Sequence, residues 1–289
     1  MRVLIVGCGY VGVALGAELV EQGHMVWGMR RSHRNDAELA AAGIVPLAVD
    51  ITDPRGLFGL SPNYDWVVHC VSASGGGVSG YEALYVRGTG HLLGWLSQAP
   101  LTKFVYTSST SVYGQTDGSR VDETSQTIPD ALTSRVLVEA EELVLRTAGQ
   151  QGFPAVVSRV AGIYGPGRTY WLEQFQSGQV RIEGEGDRIL NMIHRDDVVG
   201  AVIAALARGR PGRVYNVVDD EPVTQLALFR WLAARLERAL PSSATEGERV
   251  SRKRGATSKK VSNQRLKDEL EYRLRFPTFR EGYEEVLSH

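Results

Sequence analysis

The chain lacks most of the features that set a protein apart from ordinary globular enzymes. Only two cysteines occur in 289 residues, Cys8 and Cys70. Both sit in strand-like surroundings rather than in a spaced framework, which excludes a disulfide-built scaffold and suits a reducing compartment. The formal net charge is -1, so no global pull toward nucleic acid or an anionic membrane is expected. No apolar run reaches the length of a membrane span, and the opening MRVLIVG is a short strand ending in glycine. The expectation is a cytoplasmic protein with no membrane partner. The six histidines, at 24, 33, 69, 91, 194 and 289, show no ligand spacing with acids or cysteines, so no metal is expected.

What is present is a repeating alternation of short apolar strands and helical segments. Residues 3–6, 25–29, 44–48, 66–71, 104–107 and 155–158 read as strands, and 11–22, 36–42, 80–97 and 130–147 as helices. Repeated βα units predict a parallel sheet with ligands at the carboxyl ends of its strands. After Gly165 the alternation loosens into a helix over 196–207, a strand over 214–218 and a helix over 224–240. The expected architecture is α/β, a Rossmann-type doubly wound parallel sheet over 1–160 with a smaller C-terminal α/β substrate lobe over 161–289, partly interleaved with it.

The stretch IVGCGYVGVALG places Gly7, Gly9 and Gly12 in G-x-G-x-x-G spacing, directly after a strand and opening a helix. The first glycine permits a tight turn, the second lets backbone approach a pyrophosphate, and the third lets helix pack on strand. Tyr10 and Val11 open the helix whose N-terminus would face the phosphates. The second strand ends WGMRRSHR, with Arg30 and Arg31 where an NAD-preferring site would usually carry an acid. Guanidinium groups suit a 2′-phosphate, so NADP is expected in preference to NAD; a solvated basic loop including Arg34 is the rival reading. Asp50 and Ile51 in LAVDITD follow the third strand, where Asp50 is placed to meet the adenine edge; a cap to the segment after Thr52 is the rival explanation, and the two are compatible.

KFVYTSSTSVYG at 103–114, VDE at 121–123, VVSRVAGIYGPGR at 156–168, NMIHRDDVVGAV at 191–202, VYNVVDDEPVT at 214–224 and the closing 261–287 together resemble the extended and atypical short-chain dehydrogenase/reductases. The resemblance is nearest to NAD(P)-dependent epimerase/dehydratase-like proteins and spans nearly the whole chain. It implies a Rossmann fold and a nicotinamide cofactor. It also implies that Ser109 bonds the substrate oxygen, that Thr107 and Ser108 lie near the nicotinamide ribose, and that Cys70, Val71 and Ser72 line the cofactor. Asp197 is implied to be structural, in a stretch that caps a helix and ties the two lobes together.

The family then expects Y-x-x-x-K on the next helix, with tyrosine as the general acid or base and lysine holding the ribose and lowering the tyrosine pKa. Here PDALTSRVLVEAE stands in that place, with no tyrosine over 115–163 and no lysine over 104–252. The natural register puts Ala131 and Arg135 at the two positions, Arg135 keeping the ribose contact without being able to donate a proton. A slip of two residues puts Thr133 and Leu137 there instead. A proton would then come from water, Ser109, or Tyr85, Tyr164 or Tyr170.

Arg168, Arg181 and the basic segment 249–260 are available for an anionic small-molecule substrate, with a solvated loop as the rival for the segment. That segment lacks interleaved aromatics, so no nucleic-acid partner is expected. Apolar residues on more than one face of the 130–147 helix, Val136, Leu137 and Val138 among them, predict packing against a second copy of the chain.

Overall fold

The structure is a computed structural model and describes residues 1–73, 75–244 and 257–288. In chain order the strands are β1 (Arg2–Val6), β2 (Met25–Arg30), β3 (Val45–Ala48), β4 (Trp66–His69), β5 (Lys103–Ser109), β6 (Arg120–Val121) and β7 (Ala155–Val160). Then come β8 (Gly162–Tyr164), β9 (Ile189–Leu190), β10 (Met192–His194), β11 (Val214–Val217), β12 (Val223–Thr224) and β13 (Lys260–Val261). The helices are α1 (Tyr10–Glu21), α2 (Asp36–Ala41), α3 (Gly77–Tyr81), α4 (Thr89–Leu96), α5 (Leu132–Gln151), α6 (Tyr170–Gln176), α7 (Arg195–Arg208), α8 (Gln225–Leu236), α9 (Gln264–Leu270) and α10 (Phe279–Leu287).

Seven strands form one sheet in the order β11-β7-β5-β4-β1-β2-β3, and all six pairings are parallel. A parallel sheet needs both faces covered, and β1 shows it: Val3, Leu4 and Ile5 are fully buried. The chain runs outward from β1 toward β3, then crosses back to β4 on the other side. The crevice between the carboxyl ends of β1 and β4 is therefore the topological switch point, where such sheets hold ligands.

Residues beyond 160 return to this sheet. β11 extends its edge, and α7 and α9 pack into the same apolar core through Val198, Val202, Leu206, Leu266 and Leu270. A second core gathers Tyr164, Leu172, Phe175, Leu190, Leu228, Phe229, Phe279 and Tyr283 in the C-terminal lobe. The lobes are tied by Asp197 at the start of α7, fully buried. Its carboxylate accepts from Tyr272 Oη at 2.8 Å, Arg275 N at 2.7 Å and Phe276 N at 2.9 Å.

The region predicted as one helix over 80–97 contains a π-helical stretch over Glu82–Gly88 between α3 and α4. In α5 the buried positions Ser134, Val136, Leu137, Ala140, Glu141 and Val144 form the sheet-facing side. Val138, Leu143 and Leu145 are partly buried against the same core. No helix among the described residues is long and apolar enough to cross a membrane.

Candidate functional site

The glycine turn is a site built from backbone. Gly7 has φ of +84°, and a Cβ there would stand 2.5 Å from Val71 Cα, so strand-end and turn touch with nothing between them. Its N–H and that of Cys8 both donate to Met29 O, at 3.0 and 3.1 Å. Gly9 caps α1 with no side chain in the way, leaving the first-turn N–H groups of the helix without intrahelical acceptors and pointing outward. Gly12 is buried; a Cβ there would meet Ile5 Cγ2 at 3.1 Å, and its role is close packing of α1 on β1.

A cavity of about 630 Å³ runs from this turn. At one end it is walled by Arg30, Arg31 and Ile51, in its middle by Gly7, Gly9, Tyr10, Val11, Cys70, Val71 and Ser72, and at the far end by Thr107, Ser108 and Ser109. A dinucleotide fits this donor set: a phosphate-sized gap at a helix N-terminus, glycines admitting close approach, and the buried Ser108 hydroxyl with no hydrogen-bond partner among the described residues. Arg30 and Arg31 differ in availability. Arg30 Nε donates to Cys8 O and its Nη2 to Glu38 at 3.0 Å, so Arg30 braces the turn. Arg31 is exposed and forms no ion pair among the described residues.

A second cavity of about 600 Å³ lies under the C-terminal lobe, and Ser109, Ala161, Gly162, Ile163 and Arg168 line both. Ser109 ends β5 and is 6% exposed. Its Oγ accepts from Ser111 N at 3.2 Å, holding the turn that follows. Tyr10 faces the seam, with Arg168 and Arg195 over its ring at 5.5 and 5.4 Å. Burial raises the Tyr10 pKa, only partly offset by those two cations.

A model of the family described as NAD dependent epimerase/dehydratase matches residues 3–218. The chain belongs to that family. Among its relatives is the 2-alkyl-3-oxoalkanoate reductase of Stenotrophomonas maltophilia, 28% identical over 81% of this chain and 75% of the relative. A functionally unknown conserved protein from Silicibacter pomeroyi superposes with a TM-score of 0.80 at 29% identity, covering 99% of this chain and 98% of that one. The dTDP-glucose 4,6-dehydratase DesIV from Streptomyces venezuelae, solved with NAD and TYD bound, superposes with a TM-score of 0.85 over 100% of this chain and 96% of that one. At 21% identity that likeness is one of fold. As an epimerase/dehydratase-family protein with reductase and dehydrogenase relatives, the chain is an NAD(P)-dependent enzyme of the oxidoreductase/epimerase kind.

The structure places three of the expected site residues away from the walls of both cavities. Arg135 does not line either cavity: it lies on the exposed face of α5 and its Nε donates to Pro129 O at 3.0 Å. Leu137 lines the cofactor cavity instead, because helical period brings Ser134 and Leu137 inward and turns Arg135 out; Ala131 and Thr133, the tyrosine positions of the two registers, line neither cavity. Asp50 is also absent from the wall between Val49 and Ile51. Its carboxylate is taken by Thr52 N and Oγ1, at 2.9 and 2.8 Å, which is the turn-capping role. Arg181 lies outside both cavities, its guanidinium donating to Gly178 O and Val180 O at 2.9 Å.

Of the candidate tyrosines, Tyr85 lines the cofactor cavity and accepts from Ala73 N at 3.2 Å. Tyr164 and Tyr170 line the second cavity. Tyr164 is stacked on Tyr283 at 4.8 Å and its pKa is raised, first by burial and then by the Asp219 carboxylate. The basic segment 249–260 lies outside the described residues up to position 256, but Thr257 and Lys259 are described and line the second cavity, as does Arg188. The sequence reading did not single out Arg188, and it named Lys259 only within a run of charges.

A buried network stands behind the strand that leads into the wall shared by the two cavities. Arg159, on β7, donates to Glu141 of α5 through Nε at 3.0 and 3.1 Å and Nη2 at 2.7 Å, and to Tyr113 Oη through Nη1 at 2.8 Å. Tyr113 Oη in turn donates to Asn216 Oδ1 at 2.8 Å. This locks α5 to the strand that leads into the shared wall at Ala161 and Gly162. The Glu141 carboxylate holds the Arg159 pKa above its ordinary value against the effect of burial.

Proposed function

We propose that the chain is an NADP-dependent oxidoreductase or epimerase/dehydratase-like enzyme in which Ser109 polarises the oxygen of a small carbonyl or hydroxyl substrate, sugar-nucleotide-like compounds included. The observation that carries this is the place of Ser109, in the wall common to the two cavities. A group bound in the second cavity reaches that hydroxyl from one side, and the cofactor cavity opens on the other.

When bound, a nicotinamide ring supplies or accepts the hydride. Ser109 orients the substrate oxygen and stabilises charge developing on it. Leu137 and Val160, in the wall of the first cavity, keep water from that end. Exposed Arg31 is the side chain that favours NADP, since Arg30 is occupied by Cys8 O and Glu38. The Tyr-Lys pair is missing from the α5 segment, so the proton comes from water or from a hydroxyl elsewhere in the site. General acid-base help is worth about 10² to 10⁴-fold, and positioning contributes comparably, so turnover survives its loss at reduced rate.

The same gap supports a second reading, a catalytically silent NADP-binding sensor or scaffold. NADPH oxidation over a panel of ketones, aldehydes and sugar nucleotides separates the two. Turnover that disappears in Ser109→Ala is the expected result; tight NADPH binding with no turnover on any of them favours the sensor. Association of two copies through α5 belongs to this proposal, supported by the partial exposure of Val138, Leu143 and Leu145. A size-exclusion mass of one chain at micromolar concentration removes it.

A further inference from the structure

The first cavity has a cation that belongs to neither its sheet nor its glycine turn. Among the described residues the charged side chains in its wall are Arg30, Arg31, Glu38 and Arg168. Arg30 and Glu38 are paired with each other at 3.0 Å, and Arg31 follows β2 at the end that the proposed function gives to the 2′-phosphate. Arg168 comes from the C-terminal lobe. Its guanidinium is exposed and makes no hydrogen bond or ion pair among the described residues.

Exposure alone would describe a solvated side chain, but this one is held over a particular place. It lies over the ring of Tyr10 at 5.5 Å, and Tyr10 is the first residue of α1, directly after the Gly9 cap. Stacking on an aromatic face narrows the sweep of an otherwise flexible cation. Arg195 holds the same ring at 5.4 Å, yet its charge is met by Asp196 at 2.9 Å and it does not line the cavity. The root of Arg168 is fixed as well. Gly165 N donates to Arg168 O at 3.1 Å and Arg168 N to Gly165 O at 3.0 Å, closing a tight turn. That turn sits on Tyr10: Gly165 has φ of +146°, and a Cβ there would stand 3.1 Å from Tyr10 Oη and 3.1 Å from His194 Nε2. The 165–168 turn and the glycine turn therefore meet across the boundary between the lobes.

A dinucleotide along this cavity brings a doubly charged pyrophosphate to the N-terminus of α1, where the glycine turn answers it with backbone N–H groups and no side-chain charge. Arg168 is the unmatched cation at that point, and a guanidinium suits two phosphoryl oxygens at once. We propose that Arg168 is a ligand of the cofactor's pyrophosphate, gripping it from the C-terminal lobe against the N-terminus of α1. The inference deepens the proposed function and rests on its nicotinamide cofactor. Because Arg168 also lines the second cavity, the diphosphate of a nucleotide-sugar substrate is the competing source of the same chemistry.

Equilibrium titration of the full chain with NADPH, NADH, ADP-ribose and UDP-glucose, without turnover, tests it. In Arg168→Gln, NADPH, NADH and ADP-ribose are all expected to bind about tenfold or more weaker, by the same factor, since all three carry the pyrophosphate. Arg31→Gln is expected to weaken NADPH alone. A lost charge has a signature that a merely structural change lacks: ADP-ribose affinity should fall less steeply with added salt in Arg168→Gln than in the wild type, and Arg168→Lys should keep the wild-type slope. Unchanged ADP-ribose and NADH affinity in Arg168→Gln, a loss confined to UDP-glucose, or an unaltered salt slope overturns the proposal. In those cases the wild type still binds NADPH and the proposed function stands. If the wild type binds neither nicotinamide coenzyme nor ADP-ribose, the proposed function falls first and the role of Arg168 falls with it.

Discussion

The two cavities meet at Ser109 yet are made of opposite materials. The first is shaped by backbone: a glycine at positive φ, a helix N-terminus and strand ends in van der Waals contact. The second is shaped by residues drawn from positions 109–111, 161–164, 167–171, 173, 188–192, 257 and 259. A backbone-built site serves one invariant ligand and rejects any added carbon, whereas a side-chain-built site can be rewritten residue by residue without disturbing the sheet. The contrast fits a shared cofactor paired with a substrate that differs from relative to relative.

The sharpest way to break the contrast is to damage what both cavities share. Glu141→Ala leaves the Arg159 guanidinium buried and unpaired, and should cost about 3 to 5 kcal/mol of stability, read as a fall in Tm and in the denaturant midpoint. Both cavities should lose their ligands together in that variant. Next, Ser109→Ala should lower turnover by about 10² to 10³-fold while leaving NADPH affinity within about twofold, measured by steady-state kinetics beside fluorescence titration. A parallel loss of cofactor affinity would mean that Ser109 serves the first cavity alone. Gly7→Ala should strike the backbone site by itself. The strain at φ of +84° and the contact with Val71 are worth about 1 to 3 kcal/mol, so cofactor binding should weaken, read by fluorescence titration with NADPH. Smaller again is Arg31→Ala, expected to weaken NADPH by about tenfold and NADH hardly at all; equal losses would remove the 2′-phosphate reading.

The smallest effect is one of pH. Lys259 has its folded pKa lowered to about 8 from 10.5, so between those values the unfolded chain binds more protons than the folded one, and stability should rise with pH across that window. Lys259→Met should flatten the rise. If the wild-type profile is already flat between pH 8 and 10, the ammonium is not held out of water as described.

The parts of the molecule that were legible beforehand share one property: their signal is local. Strand–turn–helix order around Gly7, Gly9 and Gly12 identifies the phosphate end because the turn and the helix N-terminus are adjacent in the chain. Ser109 was pointed to by the resemblance, through the spacing to Gly114 that the family's motif shares, although only the structure shows that it stands in the wall common to two cavities. The two registers of Y-x-x-x-K open on α5 differ by two residues, and composition does not say which side of the helix meets the sheet. Packing does, turning Leu137 in and Arg135 out.

Periodicity and the glycine spacing, then, were enough to indicate a wound parallel sheet and the position of its ligand crevice, since each depends on contacts a few residues apart, whereas Ser109 was pointed to only by the resemblance to a known family. Tertiary structure alone decided that Arg188 and Lys259 line one cavity. They are separated by a long stretch of chain and are brought together by bonds between 188–191 and 257–259: Arg188 Nε to Thr257 O, Ile189 N to Ser258 Oγ and Asn191 Nδ2 to Lys259 O. A charge in a basic run looks solvated until the fold buries it, and burial is the physical step that puts such a charge in a cavity wall.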